Sequence, residues 1–309
     1  MKPGEFMEIN EYMKCRNEYD KSFLANLSHR ARLIMHPLLW FLIKCKNKLS
    51  GFKIVRINTK IEKTNRPIIF SITHIGKFDI EICAEALKKH FYLLSGDFEN
   101  VHGTSDGNFI ELNGIIYLNK YDKEDKTHSK EKSISILKQG GNIFWFPEGI
   151  WNLSPNQPVL PIPFGIIEVA LKSNAVIVPV AIEQYDKEFR INVGSNLYVE
   201  TYLEKYQDER QLKLAAINDL RDTMSTLKYQ IWETLPQNER QNIPNDYFDT
   251  FVNARLKEWH GFTYADVHAR EFLPKGVTEP VEAFAHLKTL KPIRNNAFLF
   301  NKKWKGSPE

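Results

Sequence analysis

Cysteine is scarce in this chain: Cys15, Cys45 and Cys83 are the full complement among 309 residues. Three thiols so far apart make neither a disulfide framework nor a zinc knuckle, and a reducing, cytosolic setting is the expectation. Long apolar runs are missing as well. The most apolar stretch, residues 33–43, falls short of the roughly 20 residues that a membrane-spanning helix needs. Residues 1–20 are polar, without the apolar centre of a secretory signal. There is no internal repeat and no low-complexity segment. A Gly-x-Ser-x-Gly elbow is absent, and so is any zinc or two-metal spacing, which argues against a serine triad and a metal centre.

What remains is an ordinary globular composition, 42% hydrophobic and 26% charged, with a net charge of +4 and a pI near 8.7. The mild basicity suits an anionic partner such as a membrane surface, a phosphate or coenzyme A, and equally a solvated basic surface. No nucleic-acid partner is expected. Around the apolar stretch lie Arg30, Arg32, Lys44, Lys46 and Lys48, with Trp40 at its centre. Such a segment reads as a helix lying in a membrane interface, or as one packed on the protein's own core.

The middle of the chain alternates short apolar runs with helical patterns, which predicts an α/β fold with a mixed, largely parallel central sheet flanked by helices. Strands are expected at Phe52–Asn58, Pro67–Thr73, Tyr92–Ser95, Gly114–Leu118, Asn142–Phe146, Val176–Ile182 and Arg190–Val193. Helices are expected at Asp79–His90, Ser129–Gln139 and Phe164–Ser173, then along residues 206–234, where Leu212, Ile217, Leu220, Met224 and Ile231 keep helical spacing. Shorter helical patterns follow at Tyr247–Trp259 and Glu279–Leu290. Residues 1–60 thus read as a helical N-terminal segment, 61–205 as the α/β domain and 206–309 as a helical extension.

Two short motifs hold the chemistry. Residues 74–79 read His-Ile-Gly-Lys-Phe-Asp at the junction of a strand and a helix. A spacing of five does not put two side chains on one helix face. With His74 in the loop and Asp79 in the first helical turn, however, the carboxylate can accept the imidazole N–H. That fixes the tautomer and leaves the other ring nitrogen as a general base for an alcohol attacking a carbonyl. Taken alone, the pair reads first as a loop histidine and a helix-capping aspartate, and only the rest of the chain overturns that. The second motif, Phe146-Pro147-Glu148-Gly149, closes another apolar run with a turn bearing a carboxylate.

The order of these motifs resembles the glycerolipid (lysophospholipid) acyltransferase family, which has four sequence blocks. Thr73-His74-Ile75-Gly76-Lys77-Phe78-Asp79 matches the first, Asn-His followed by Asp. Gly114-Ile115-Ile116-Tyr117-Leu118-Asn119-Lys120 matches the second, with Lys in place of Arg. Phe146-Pro147-Glu148-Gly149-Ile150-Trp151-Asn152 matches the third, Phe-Pro-Glu-Gly-Thr-Arg-Ser, without its arginine. Val178-Pro179-Val180-Ala181-Ile182 matches the fourth. The resemblance covers residues 65–185.

The resemblance implies direct acyl transfer from acyl-CoA or acyl carrier protein to a lysolipid hydroxyl, with 1-acylglycerol 3-phosphate as default acceptor and no other cofactor. His74 would be the base and Asp79 its orienting partner. Thr73, Lys120, Pro147, Glu148 and Gly149 would serve the acceptor site, at the inner, cytoplasmic face of a membrane. The family's two arginines are associated with gripping the acceptor's phosphate. Lys120 keeps a cation but loses the bidentate fork, and Trp151 fits a less charged acceptor such as a glycan or an amino-lipid, and equally a simple packing role. A silent lipid-binding homologue would have no need of His74, Asp79 and Glu148 together.

Overall fold

The computed structural model describes residues 9–154, 157–234 and 253–258. Its strands are β1 (Lys53–Asn58), β2 (Ile68–Ile72), β3 (Tyr92–Ser95), β4 (Ile115–Tyr117), β5 (Ile143–Trp145), β6 (Val176–Tyr185) and β7 (Glu188–Val193). They form one sheet in the order β1-β7-β6-β2-β5-β3-β4. From β6 to β4 every pairing is parallel; β7 folds back antiparallel on β6, and β1 lies parallel to β7. This is the mixed, largely parallel α/β sheet that the apolar pattern predicts. The helices are α1 (Ile9–Asp20), α2 (His29–Leu49), α3 (Asp79–Leu87), α4 (Ser105–Asn113), α5 (Lys123–Lys138), α6 (Gly165–Ser173) and α7 (Glu209–Glu233).

Strand β2 lies near the middle and is buried at every residue. Its side chains alternate between faces, as the pleat requires. Ile68, Phe70 and Ile72 join one apolar cluster with Tyr12 and Tyr19 of α1 and Ile82, Cys83 and Leu87 of α3. Ile69 joins the other, with Leu137 of α5, Ile166 and Val169 of α6, and Leu212, Leu220 and Met224 of α7. Both faces are covered, which is why β2 and β6 read as unbroken apolar runs.

Several elements differ from the sequence reading. Helix α5 begins six residues before Ser129, because the Asp122 side chain accepts the Asp125 N–H at 2.7 Å and caps a polar first turn. Helix α1 falls within the N-terminal segment read as helical but without bounds of its own, and α4 goes unread, because charged and polar residues dilute their apolar period. Strand β6 runs on to Tyr185 and meets β7 through a tight turn in which Asp186 is left-handed, φ 53°. Residues 279–290 and most of 247–259 lie outside the described residues, apart from a helical turn at 253–256.

Helix α2 presents Ile34, Leu38 and Phe41 to solvent, 73%, 62% and 55% exposed, while Leu39 is buried. Two of its flanking cations turn inward. Arg32 is buried and donates from Nη1 to the Glu111 and Leu112 carbonyls at the end of α4, at 2.8 and 2.7 Å. Lys46 pairs with Glu81 at 2.8 Å and Asp106 at 3.0 Å. Arg30, Lys44 and Lys48 stay exposed. Among the described residues no helix is long and apolar enough to cross a membrane.

Candidate active site

The parallel strands β2, β5, β3 and β4 end at one edge of the sheet, the usual place for ligand sites in such folds. The loop after β2 holds His74, and α3 starts at Asp79, as the motif spacing predicts. One oxygen of Asp79, Oδ2, accepts three hydrogen bonds: from His74 Nδ1 at 2.9 Å, Ile75 N–H at 2.6 Å and Gly76 N–H at 3.0 Å. Asp79 is fully buried, whereas the His74 side chain keeps 16% of its surface exposed. With Nδ1–H donated to the carboxylate, Nε2 is the basic nitrogen.

The third motif wraps around this histidine. Glu148 is fully buried; its Oε1 accepts the His74 N–H at 3.1 Å and its Oε2 the Leu160 N–H at 2.7 Å. The Asn152 N–H donates to the His74 carbonyl at 2.6 Å. Phe146 stacks at a tilt on the imidazole, centroids 4.3 Å apart, and Trp151 meets it edge-on at 6.2 Å. His74 is thus fixed through both backbone groups and through two aromatic contacts to its ring. Burial pushes the Glu148 carboxyl up from the usual carboxylate range; the Lys228 ammonium and the Leu160 and His74 N–H groups pull it back. Lys228, itself buried, pairs with Glu183 at 2.7 Å.

The other predicted residues divide. Thr73 is fully buried: its hydroxyl donates to the Ile182 carbonyl and accepts the Ile182 N–H, at 3.3 and 2.9 Å. It joins β2 to β6 and has no surface to offer an acceptor, so its place is in the scaffold. Glu148 likewise stands behind His74, with no exposed surface. Pro147 is buried in the turn, and Gly149, exposed, closes it with φ 74° and an N–H to Phe146 carbonyl bond of 3.0 Å. That positive φ is why glycine occupies the position. Lys120 is exposed beyond β4, over the Tyr121 ring at 5.3 Å. Its strand lies three spacings from β2, about 14 Å.

Two residues near His74 escape the sequence reading. Asp97, just after β3, is close enough to feel the charge of His74; burial raises its carboxyl, and Asn100 and His74 pull it back. Arg255 packs on Gly76 from the far end of the chain. Asp97 has a readable signal in its strand-end position, whereas Arg255 has none. No three His, Cys, Asp or Glu side chains gather as a metal ion would need among the described residues.

Comparison with known proteins gives the following similarities. Residues 54–183 match the family described as Acyltransferase. The 1-acyl-sn-glycerol-3-phosphate acyltransferase of Borreliella burgdorferi is 25% identical over 179 residues, 56% of this chain and 68% of its own. The crystal structure of the 1-acyl-sn-glycerophosphate (LPA) acyltransferase PlsC from Thermotoga maritima is similar with a TM-score of 0.47 and 15% identity. That match covers 72% of this chain and 89% of the other.

Proposed function

We propose that this chain, whose residues 54–183 match the acyltransferase family, moves a fatty acyl group directly from a thioester to a lysolipid hydroxyl. The donor is acyl-CoA or acyl carrier protein, and the default acceptor is 1-acylglycerol 3-phosphate. The observation that supports this most is the 2.9 Å bond from His74 Nδ1 to a buried carboxylate, at the end of a central parallel strand. Nε2 takes the proton of the acceptor hydroxyl as its oxygen attacks the thioester carbonyl. The tetrahedral oxyanion then collapses, the C–S bond breaks, and the departing thiolate takes the proton back from the imidazolium. No acyl-enzyme forms, and no step needs a cofactor. A second reading, the same chemistry on an acceptor without phosphate, gains weight from Trp151 standing where the third block has arginine. Purified protein with labelled donor and a panel of acceptors separates the two by mass spectrometry. Transfer to none of them would remove the acyltransferase reading.

If the acceptor bears a phosphate, Lys120→Ala should raise its KM several-fold with less effect on kcat, because a pre-bound phosphate gives mostly uniform binding. Lys120→Arg should be tolerated. Unchanged lysophosphatidate kinetics in Lys120→Ala would take Lys120 out of the site.

We also propose that α2 seats the protein on the cytoplasmic membrane face. Ile34, Leu38 and Phe41 form an exposed apolar stripe with Arg30, Lys44 and Lys48 around it, the pattern of an interfacial helix. The chain should co-sediment with phosphatidylglycerol vesicles, and less well as salt rises. Leu38→Asp with Phe41→Asp should release it while sparing transfer to a short, soluble acceptor. Vesicle binding untouched by that pair would place the contact elsewhere.

A further inference from the structure

The arginine absent from the third block has a counterpart near the reacting loop, brought there by the C-terminal part of the chain. Arg255 sits in the helical turn at 253–256 and is only 6% exposed. Its guanidinium lies against Gly76, midway along the His74–Asp79 loop. A methyl group added to Gly76 would stand 3.4 Å from Nη1, 3.5 Å from Cζ and 3.6 Å from Cδ of this arginine. Gly76 therefore forms a flat seat, and any longer side chain there would push the guanidinium off. Glu258 is a counter-ion among the described residues, its two carboxylate oxygens 3.0 and 3.1 Å from Nη1.

We propose that Arg255 is a specificity-determining residue that recognises the acceptor's phosphate beside His74, an assignment that rests on the acyltransferase reading above. Position argues for it first. In 1-acylglycerol 3-phosphate the reacting hydroxyl and the phosphate sit on neighbouring carbons, so they lie within about 5 Å of each other. The cation that holds the phosphate must then border the loop of the general base, as Arg255 does. Lys120, from a strand about 14 Å away, can add only a second and more distant cation, through its long side chain.

Chemistry argues next. A guanidinium fork matches a phosphate monoester in shape and binds it more strongly than a point charge does. Burial strengthens the contact by keeping water out. A surface Arg–Glu pair three residues apart adds little to a helix and needs no burial, yet here the arginine is buried against the reacting loop while Glu258 stays partly exposed. Glu258 balances the guanidinium, and a phosphate dianion competes with it for the same N–H donors.

Steady-state kinetics of the full chain, with lysophosphatidate or monoacylglycerol as acceptor, test the assignment. Arg255→Ala should raise KM for lysophosphatidate by about 10- to 100-fold, the loss expected for a charge-assisted contact. It should leave monoacylglycerol and acyl-CoA constants near wild type. Arg255→Lys should recover part of the loss, and Glu258→Gln should lower the lysophosphatidate KM. Equal losses on both acceptors would make Arg255 a packing residue, and a rise confined to acyl-CoA would assign it to the donor; either overturns the proposal. Calorimetric binding of sn-glycerol 3-phosphate gives a readout independent of turnover. If no lysolipid is acylated, the acyltransferase reading fails, while binding abolished by Arg255→Ala still supports the anion site. Binding that is absent, or indifferent to the substitution, overturns it.

Discussion

Replacing His74 with alanine is expected to cut turnover by about 100- to 10,000-fold while leaving the melting temperature close to that of the unmodified chain. The two effects separate because the imidazole contributes little to the core: it lies in a loop, partly exposed, with one ring stacked on it. Its backbone bonds to Glu148 and Asn152 do not depend on the side chain. Asp79→Asn should cost less than His74→Ala, and for a reason visible in the geometry. All three donors converge on Oδ2, so an amide oxygen can still accept them. What the amide lacks is the negative charge that stabilises the imidazolium formed as the hydroxyl loses its proton. Single-turnover rates alongside thermal unfolding check both variants. A well-folded His74→Ala protein with near-normal turnover would remove the general-base assignment.

The strand–loop–helix junction at His74 was readable because its ingredients are local. An apolar run ends, a helical period begins, and the two polar residues fall on either side of the boundary. The same locality makes β3 exact, since Tyr92–Ser95 is apolar and sharply bounded. Thr73 enters the site only through the resemblance, in the place of the family's asparagine, yet its hydroxyl is used on Ile182, a partner far away in sequence. Glu148 is legible as a turn carboxylate, but its place behind His74 depends on Leu160, Lys228 and complete burial. Arg32 and Lys46 look like a basic flank and turn inward because α4 and α3 offer carbonyls and carboxylates there. No residue near Arg255 signals its contact with Gly76. Local chemistry announces itself; long-range partners must be seen.

Glu148 should prove nearly as sensitive as His74, but through stability as well as rate. Alanine at this position strands two buried donors, the N–H groups of His74 and Leu160, at about 1–3 kcal/mol each. It also removes one of the two carboxylates, with Glu183, that face the buried Lys228 ammonium. Turnover should fall with stability, since the loop that aims the imidazole loses its anchor. Glutamine is the more discriminating variant: it keeps the shape, offers one oxygen for two N–H groups and cannot titrate. The sign of its pH dependence follows from burial, which raises the folded-state carboxyl above its ordinary value of 4.5. A raised carboxyl means that the folded protein holds its proton more tightly than the unfolded chain does. The stabilisation is therefore fully present below pH 4.5 and is lost as pH rises through the folded value. Glutamine escapes that loss, so its deficit relative to glutamate should be largest in acid and shrink towards neutrality. Chemical unfolding of both proteins from pH 4.5 upward measures the difference directly, with every other titrating group common to the pair. A difference that grows with pH would mean that Lys228 and the two N–H groups outweigh burial. Glu148 would then be an ordinary ion-paired carboxylate, held ionised across the whole range.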